Sequence, residues 1–149
     1  MLAVAAAAMA GPRHGQPPTP ALSYLFSLNI TSGQPINIGS TPLGDRVFEP
    51  IFGGRFSGPK LSGTVASGGG DALLSHANGT SVNPDVVYVL QTRDGDNILV
   101  REKGHAPNLF LLFETGSDKY DWLNSVVAYG QGSQIPGGVS LSVWQVSVP

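Results

Sequence analysis

The stretch Val86-Val-Tyr-Val-Leu-Gln-Thr-Arg-Asp-Gly-Asp-Asn-Ile-Leu-Val-Arg-Glu102 sets two apolar, β-branched runs on either side of Asp94-Gly95. Runs of this kind around an Asp-Gly step read as two antiparallel strands joined by a two-residue turn. That turn pairs Tyr88 with Arg101, Leu90 with Leu99 and Thr92 with Asn97 on one face. On the other face it pairs Val87 with Glu102, Val89 with Val100 and Gln91 with Ile98. A hairpin alone is marginal in water, so further strands must cover it.

The flanking sequence supplies them. Tyr24, Phe26, Leu28 and Ile30 alternate with Ser23, Leu25, Ser27 and Asn29, which predicts a half-buried strand with Tyr24, Phe26 and Leu28 pointing inward. Arg46 to Phe56 holds one or two strands interrupted at Gly53-Gly54. Leu61 to Val65, Asp71 to Ser75, Phe110 to Glu114, Ser125 to Tyr129 and Val139 to Val148 add more. One helical turn is predicted, Ser117 to Asn124, with Ser117 as its cap and Asp118 in its first turn. Eight to ten short antiparallel strands at close spacing predict an all-β protein, and a closed barrel is favoured because it leaves no exposed edge.

Composition agrees. The chain has 149 residues, enough for one domain, and its 20 Gly and 12 Pro argue against a helical bundle. Disorder is excluded by a 41% hydrophobic content with a net charge of −2. Only 12% of residues are charged, and the eight Lys and Arg form no basic stripe, so a nucleic-acid partner is not expected. The absence of Cys excludes disulfides, thiolate metal sites and a Cys nucleophile. Gly68-Gly-Gly70 lacks the Lys-Ser/Thr of a phosphate loop, and no Gly-x-Ser-x-Gly elbow occurs. The three His lie apart, in expected loops, so neither a metal nor another cofactor is expected.

The first ten residues are small and apolar and end in Ala8-Met9-Ala10, which reads as a short secretory leader, the alternative being an Ala-rich tail. This run is too short to span a bilayer. Residues 11–20 read as a flexible linker and residues 21–149 as the barrel domain. Asn29-Ile30-Thr31 and Asn78-Gly79-Thr80 are glycosylation sequons, so Asn29 and Asn78 are expected to carry glycans.

Polar groups embedded in apolar strands mark the candidate site. Tyr88 and Arg101 oppose each other in the hairpin register; Arg46, Arg55 and Glu114 lie in or beside other strands; Tyr120, Trp122 and Asn124 cluster in one segment. An inward polar group must be paired or functional. The structural alternative is a cross-strand Tyr88–Arg101 pair, Trp122 as a barrel plug and Glu114 as a turn acceptor.

Several of these stretches also resemble a known family. Gly39-Ser-Thr-Pro-Leu-Gly44 with Arg46, Gly53-Gly54 through Ser57-Gly-Pro59, Leu61-Ser-Gly63, Tyr88-Val-Leu-Gln-Thr92, Asp94-Gly95 with Ile98 to Arg101, and Phe113-Glu-Thr-Gly116 through Trp122-Leu-Asn124 are similar to the domain-of-unknown-function family 3237. The likeness runs from Leu22 to the C-terminus. It implies a small lipocalin-like β-barrel. Activity in the family is mostly unassigned, but fungal relatives belong to natural-product pathways. Some are associated with cofactor-free cyclisation by hydroalkoxylation or hetero-Diels–Alder closure. The chain departs from the family pattern at Ala72, where a Trp is usual, and at Val87, where an Arg is usual, which implies a roomier or less polar pocket.

Two functions follow: a cofactor-free cyclase acting on a small apolar substrate in the barrel lumen, or a carrier with the same barrel and no chemistry. Two or more convergent hydrogen-bond donors in the lumen favour the first; a purely apolar lumen favours the second. The catalytic candidates are Arg101, Tyr88, Arg46, Glu114 and Asp71. The substrate-binding candidates are Tyr120, Trp122, Asn124, Phe113, Tyr24, Phe26 and Gln91, with Tyr120 and Trp122 near a mouth. The partner is a hydrophobic small molecule, and a homodimer is compatible with this reading. The leader and sequons predict secretion: mass spectrometry of native-host protein is expected to show loss of the leader and glycan on Asn29 or Asn78, and an intact Met1 with both Asn bare would overturn it.

Overall fold

The computed structural model describes residues 15–76, 79 and 81–149. The leader and Asn78 lie outside the described residues. Eleven strands follow one another: β1 Ala21–Ser32, β2 Ile36–Thr41, β3 Gly44–Ser57, β4 Ser62–Val65, β5 Gly70–Ser75, β6 Val82–Asn83, β7 Asp85–Thr92, β8 Asn97–His105, β9 Asn108–Glu114, β10 Val127–Ile135 and β11 Gly138–Ser147. All pairings are antiparallel, in the order β1-β11-β10-β9-β8-β7-β4-β3, and a further β1–β3 pairing closes this ring of eight. The other strands extend one end: β2 pairs with β3, and β5 continues the line of β4 between β3 and β7, with β6 beside it.

The long β3 runs unbroken through Gly53-Gly54, where an interruption was expected. Gly54 has φ +147°, and a Cβ there would stand 2.1 Å from the Asn29 carbonyl oxygen, so only glycine lets β1 lie across β3 at the closure.

One end of the barrel is solid. Phe26 meets Phe56 and Phe113 edge to face at centroid distances of 5.6 and 6.1 Å. The predicted helical turn is a 3-10 turn over Asp121–Ser125, shorter and later than expected, although Ser117 Oγ does accept the Tyr120 N–H. It drives the fully buried Leu123 into the barrel end. Trp122 packs on the same core with Lys60 over its ring.

Two orientations differ from expectation. Tyr24 points outward, because a bulge between Tyr24 and Phe26 reverses the parity of the strand. The β7–β8 register is shifted by one residue: Tyr88 pairs with Val100, Val87 with Arg101 and Val86 with Glu102. The cause is the turn. Thr92 and Asp96 close the loop through an N–H···O bond of 2.9 Å, the Gly95 N–H donates to the Thr92 carbonyl, and Thr92 Oγ1 accepts the Asp96 N–H. The loop is therefore Arg93-Asp94-Gly95, three residues ending in a positive-φ glycine, rather than two. A one-residue slip changes which side chains share a face. Arg101 goes to solvent and Glu102 goes inside.

Gly95 has φ +94° with open space around it, so a side chain there is opposed by backbone strain alone. Gly95→Val is expected to destabilise by about 1–3 kcal/mol, and Gly95→Asn by less, read from chemical denaturation. Equal stability of Gly95→Val and wild type would refute the turn.

Candidate active site

The end of the barrel opposite Leu123 encloses a cavity of about 130 Å³. Its walls are aliphatic: Ile30 and Ile51 from β1 and β3, Leu73 and Val86 from β5 and β7, Leu109 and Leu141 from β9 and β11. Val82, Pro84, Ala106 and Pro107 frame the mouth. Three carboxyls, Glu49, Asp71 and Glu102, interrupt these walls.

The sheet register explains their meeting. Glu102 lies opposite Val86, Val86 opposite Asp71, and Asp71 opposite Glu49. They form one cross-strand row over β8, β7, β5 and β3, all on the inner face. Strand spacing puts the backbones of Glu102 and Asp71 about 10 Å apart, with Val86 between them. Their side chains thus stand on one wall of the cavity, on either side of Val86.

Each of these two carboxyls has one oxygen anchored. Tyr88 Oη donates to Glu102 Oε2 at 3.0 Å, and the Asp85 N–H donates to Asp71 Oδ1 at 2.9 Å. Burial pushes Glu102 up to about 7 despite the Tyr88 hydrogen bond, which acts the other way; the nearby Asp71 charge adds to the rise. Burial likewise pushes Asp71 up to about 6, opposed by the Asp85 N–H and, least, by the Arg46 charge, and reinforced by Glu49 and Asp85. Tyr88 is fully buried and held well above its ordinary value, by burial first and then by Glu102, so it stays a neutral donor. The site is therefore a pair of carboxyls in an apolar cavity, both able to exchange a proton near neutral pH.

Of the residues singled out in the sequence, Asp71 lines this cavity, and Tyr88 reaches it through Glu102. The others stand elsewhere. Arg101 is on the outer face because of the register slip. Arg46 is also outside the lumen, its guanidinium donating to the Ala72 carbonyl. Glu114 is exposed at the end of β9, Arg55 is exposed on β3, and Gln91 is exposed and bonded to Asn97. Phe26 and Phe113 fill the solid end.

Tyr120 and Trp122 were expected near a mouth but sit at that same solid end. Tyr120 Oη donates to Asp94, whose carboxyl is held well below its usual range chiefly by Lys119. Asn124 brackets Thr115, accepting its N–H and donating to its carbonyl. Tyr24 lies outside against Trp144. Ala72 and Val87, expected to enlarge the pocket, line an outer groove beside Phe48 instead. Asn29 is exposed on the outer face of β1.

Glu49 and Glu102 were missed. The signal for Glu102 was parity along its own strand, since it continues the inward Ile98–Val100 series. Among the described residues, no group of three or more His, Asp or Glu is placed to hold a metal ion.

The sequence profile described as "Protein of unknown function (DUF3237)" matches residues 20–109. The chain belongs to this family. A hydroalkoxylation enzyme of Penicillium herquei is 37% identical over 144 residues, which is 96% of this chain and 95% of that one. The crystal structure of an enzyme from Penicillium herquei aligns with a TM-score of 0.80 at 36% identity, covering 89% of this chain and 99% of that one. A β-barrel-like protein from Acinetobacter baumannii AYE aligns with a TM-score of 0.83 at 26% identity, again over 89% of this chain and 99% of its own.

Both carboxyls have raised values in the folded protein, from 3.8 for Asp71 and 4.5 for Glu102. Between those values and about 6 and 7 the folded state binds more protons than the unfolded chain. Stability is therefore greatest below pH 4 as far as these two groups decide it, and falls as pH rises through 7. Melting temperatures from pH 4.5 to 7.5 are expected to show this decline, and Glu102→Gln to flatten it. A variant with an unchanged slope would remove Glu102 as its source.

Proposed function

We propose that the lumen closes a ring by adding a substrate hydroxyl across a carbon–carbon double bond, with Glu102 as proton donor and Asp71 as proton acceptor. The observation that carries this reading is the carboxyl pair itself, set two strands apart on the wall of an apolar cavity and both raised by burial toward neutrality. Such a pair divides acid and base roles between chemically similar groups. In the reactive form Asp71 is ionised and Glu102, the more deeply buried of the two, is protonated.

The step balances without an oxidant or reductant. The alkene π pair takes the Glu102 proton at one carbon. The hydroxyl oxygen bonds to the other carbon, and its proton passes to Asp71. The product is an isomer of the substrate, and proton exchange with water resets the pair. Ionised Asp71 also faces the positive charge that develops on the alkene carbon. Holding the chain folded for attack can contribute several kcal/mol, up to about 7–11 where alignment is good. An apolar cavity of about 150 Å³ holds a benzene-sized guest. The enclosed space here therefore suits an alkenyl arm of about six carbons, with the rest of the substrate over the mouth.

The Penicillium herquei relative supports the reaction class through its name and near full-length identity. Hetero-Diels–Alder closure needs no proton donor, so the carboxyl pair favours hydroalkoxylation. A carrier would be served by an apolar lumen; two inward carboxyls favour catalysis.

Ring closure of a hydroxyl-bearing alkene is expected to follow a bell-shaped pH profile with limbs near 6 and 7, belonging to the pair as a whole. Glu102→Gln is expected to lower kcat by about 10²–10⁴-fold and remove the alkaline limb; Asp71→Asn is expected to remove the acid limb. Arg101→Ala, on the outer face, is expected to keep wild-type rates. Full activity in a folded Glu102→Gln variant would overturn the proposal.

A further inference from the structure

The row Glu102–Val86–Asp71–Glu49 leaves Glu49 without a part in the proton transfers. It lines the same cavity, half-buried on β3 and directly opposite Asp71. Like charges directly across a sheet are unfavourable, and these two face an apolar space that weakens solvent screening. No Lys, Arg or His is among the described residues lining the cavity. The nearby cations are directed elsewhere: Arg46 donates to the Ala72 carbonyl, and Lys103 pairs with Asp85 at 3.2 Å on the outer face. A guest in the lumen therefore meets carboxyl groups with no cation on the cavity wall, Arg46 acting on Asp71 only from the outer face and as the smallest of the influences on it.

We propose that Glu49 is the charge gate of this lumen, so that the protein takes an uncharged, hydroxyl-bearing hydrocarbon substrate and turns away carboxylates, phosphates and polyanionic carriers. This inference rests on the lumen being the binding site. It has a consequence for the order of chemistry. The reaction that supplies the substrate must first release it from any phosphorylated carrier or remove its free acid, by hydrolysis, decarboxylation or transfer. A like charge held against this wall is poorly screened, and the expected discrimination between an anion and its neutral analogue is about tenfold or more.

The test uses three probes that share a ring: benzyl alcohol, benzylammonium and benzoate. Their dissociation constants are read by ligand-observed NMR at pH 7.5. Benzyl alcohol is expected to bind, benzylammonium at least as well, and benzoate at least tenfold more weakly. Benzylammonium separates rejection by sign from the general cost of burying any charge. In Glu49→Gln, with its fold checked by melting temperature, the affinity of benzoate relative to benzyl alcohol is expected to rise about tenfold. Benzoate binding as tightly as benzyl alcohol, equal rejection of both ions, or an unchanged ratio in Glu49→Gln would each overturn the gate and leave the lumen as a site. Failure of all three probes to bind would overturn the lumen site and the gate with it.

Discussion

Barrel closure is the constraint from which the site follows. A ring of eight strands has an interior just wide enough for side chains to fill. Space inside is then decided by side-chain volume, row by row. At the solid end the inward residues include Phe26, Phe56 and Phe113. Toward the mouth the same strands give Ile30, Ile51 and Leu109, and β10 shrinks from Ala128 to Gly130 and Gly132. Leu111 takes the room at Gly130, where a Cβ would stand 2.7 Å from it. At Gly132 a Cβ would come no nearer than 3.5 Å to a neighbour, so the barrel has room there for a methyl group that the sequence does not supply. The cavity lies where side chains taper faster than the barrel does, and the short connections at Pro84 and Ala106-Pro107 only frame its mouth.

The fold was legible because period-2 alternation and Gly/Pro punctuation are local. Each strand declares itself within a few residues, and closure follows from having so many of them. Register was less legible. Asp94-Gly95 suits a two-residue turn, but Thr92 offers both its backbone and its hydroxyl to Asp96, which favours the three-residue loop. Turn length decides which partner stands opposite Tyr88, and that choice moved the inward charge from Arg101 to Glu102. A bulge did the same to Tyr24. Asp71 was picked for its chemistry, but its meeting with Glu49 and Glu102 depends on pairings between distant segments. No spacing within one strand announces such a row.

The polar residues singled out near the chain's aromatic segment show the converse error. Tyr120, Trp122 and Asn124 look like a binding cluster because they are adjacent. Their partners are structural: Asp94 for Tyr120, the core and Lys60 for Trp122, Thr115 for Asn124. Together they clasp the β7–β8 turn and the 3-10 turn over the solid end. Aromatic character alone did not separate a plug from a pocket wall. The separating property is whether the polar atoms are already satisfied by neighbours fixed in the fold.

That property also bears on why the carboxyl row exists. Val86 stands in the same row, so an apolar residue fits there. Replacing buried charged groups with apolar groups of similar size is often neutral or stabilising. Glu102 is held against burial with one hydrogen bond from Tyr88, and Asp71 with one from the Asp85 backbone. One oxygen of each is anchored, which fixes orientation and leaves the other to exchange a proton. Glu49 opposite Asp71 adds repulsion that no apolar side chain would bring. The row therefore costs stability at neutral pH, and what it returns to the fold is one hydrogen bond each to the Tyr88 hydroxyl and the Asp85 N–H. What it does supply is two proton-exchanging oxygens on one wall of a cavity that no cationic side chain lines among the described residues. If the lumen is where a ring closes, those are the terms in which the addition is made easier, and they give a reason for charges in a place where packing alone would have put hydrocarbon.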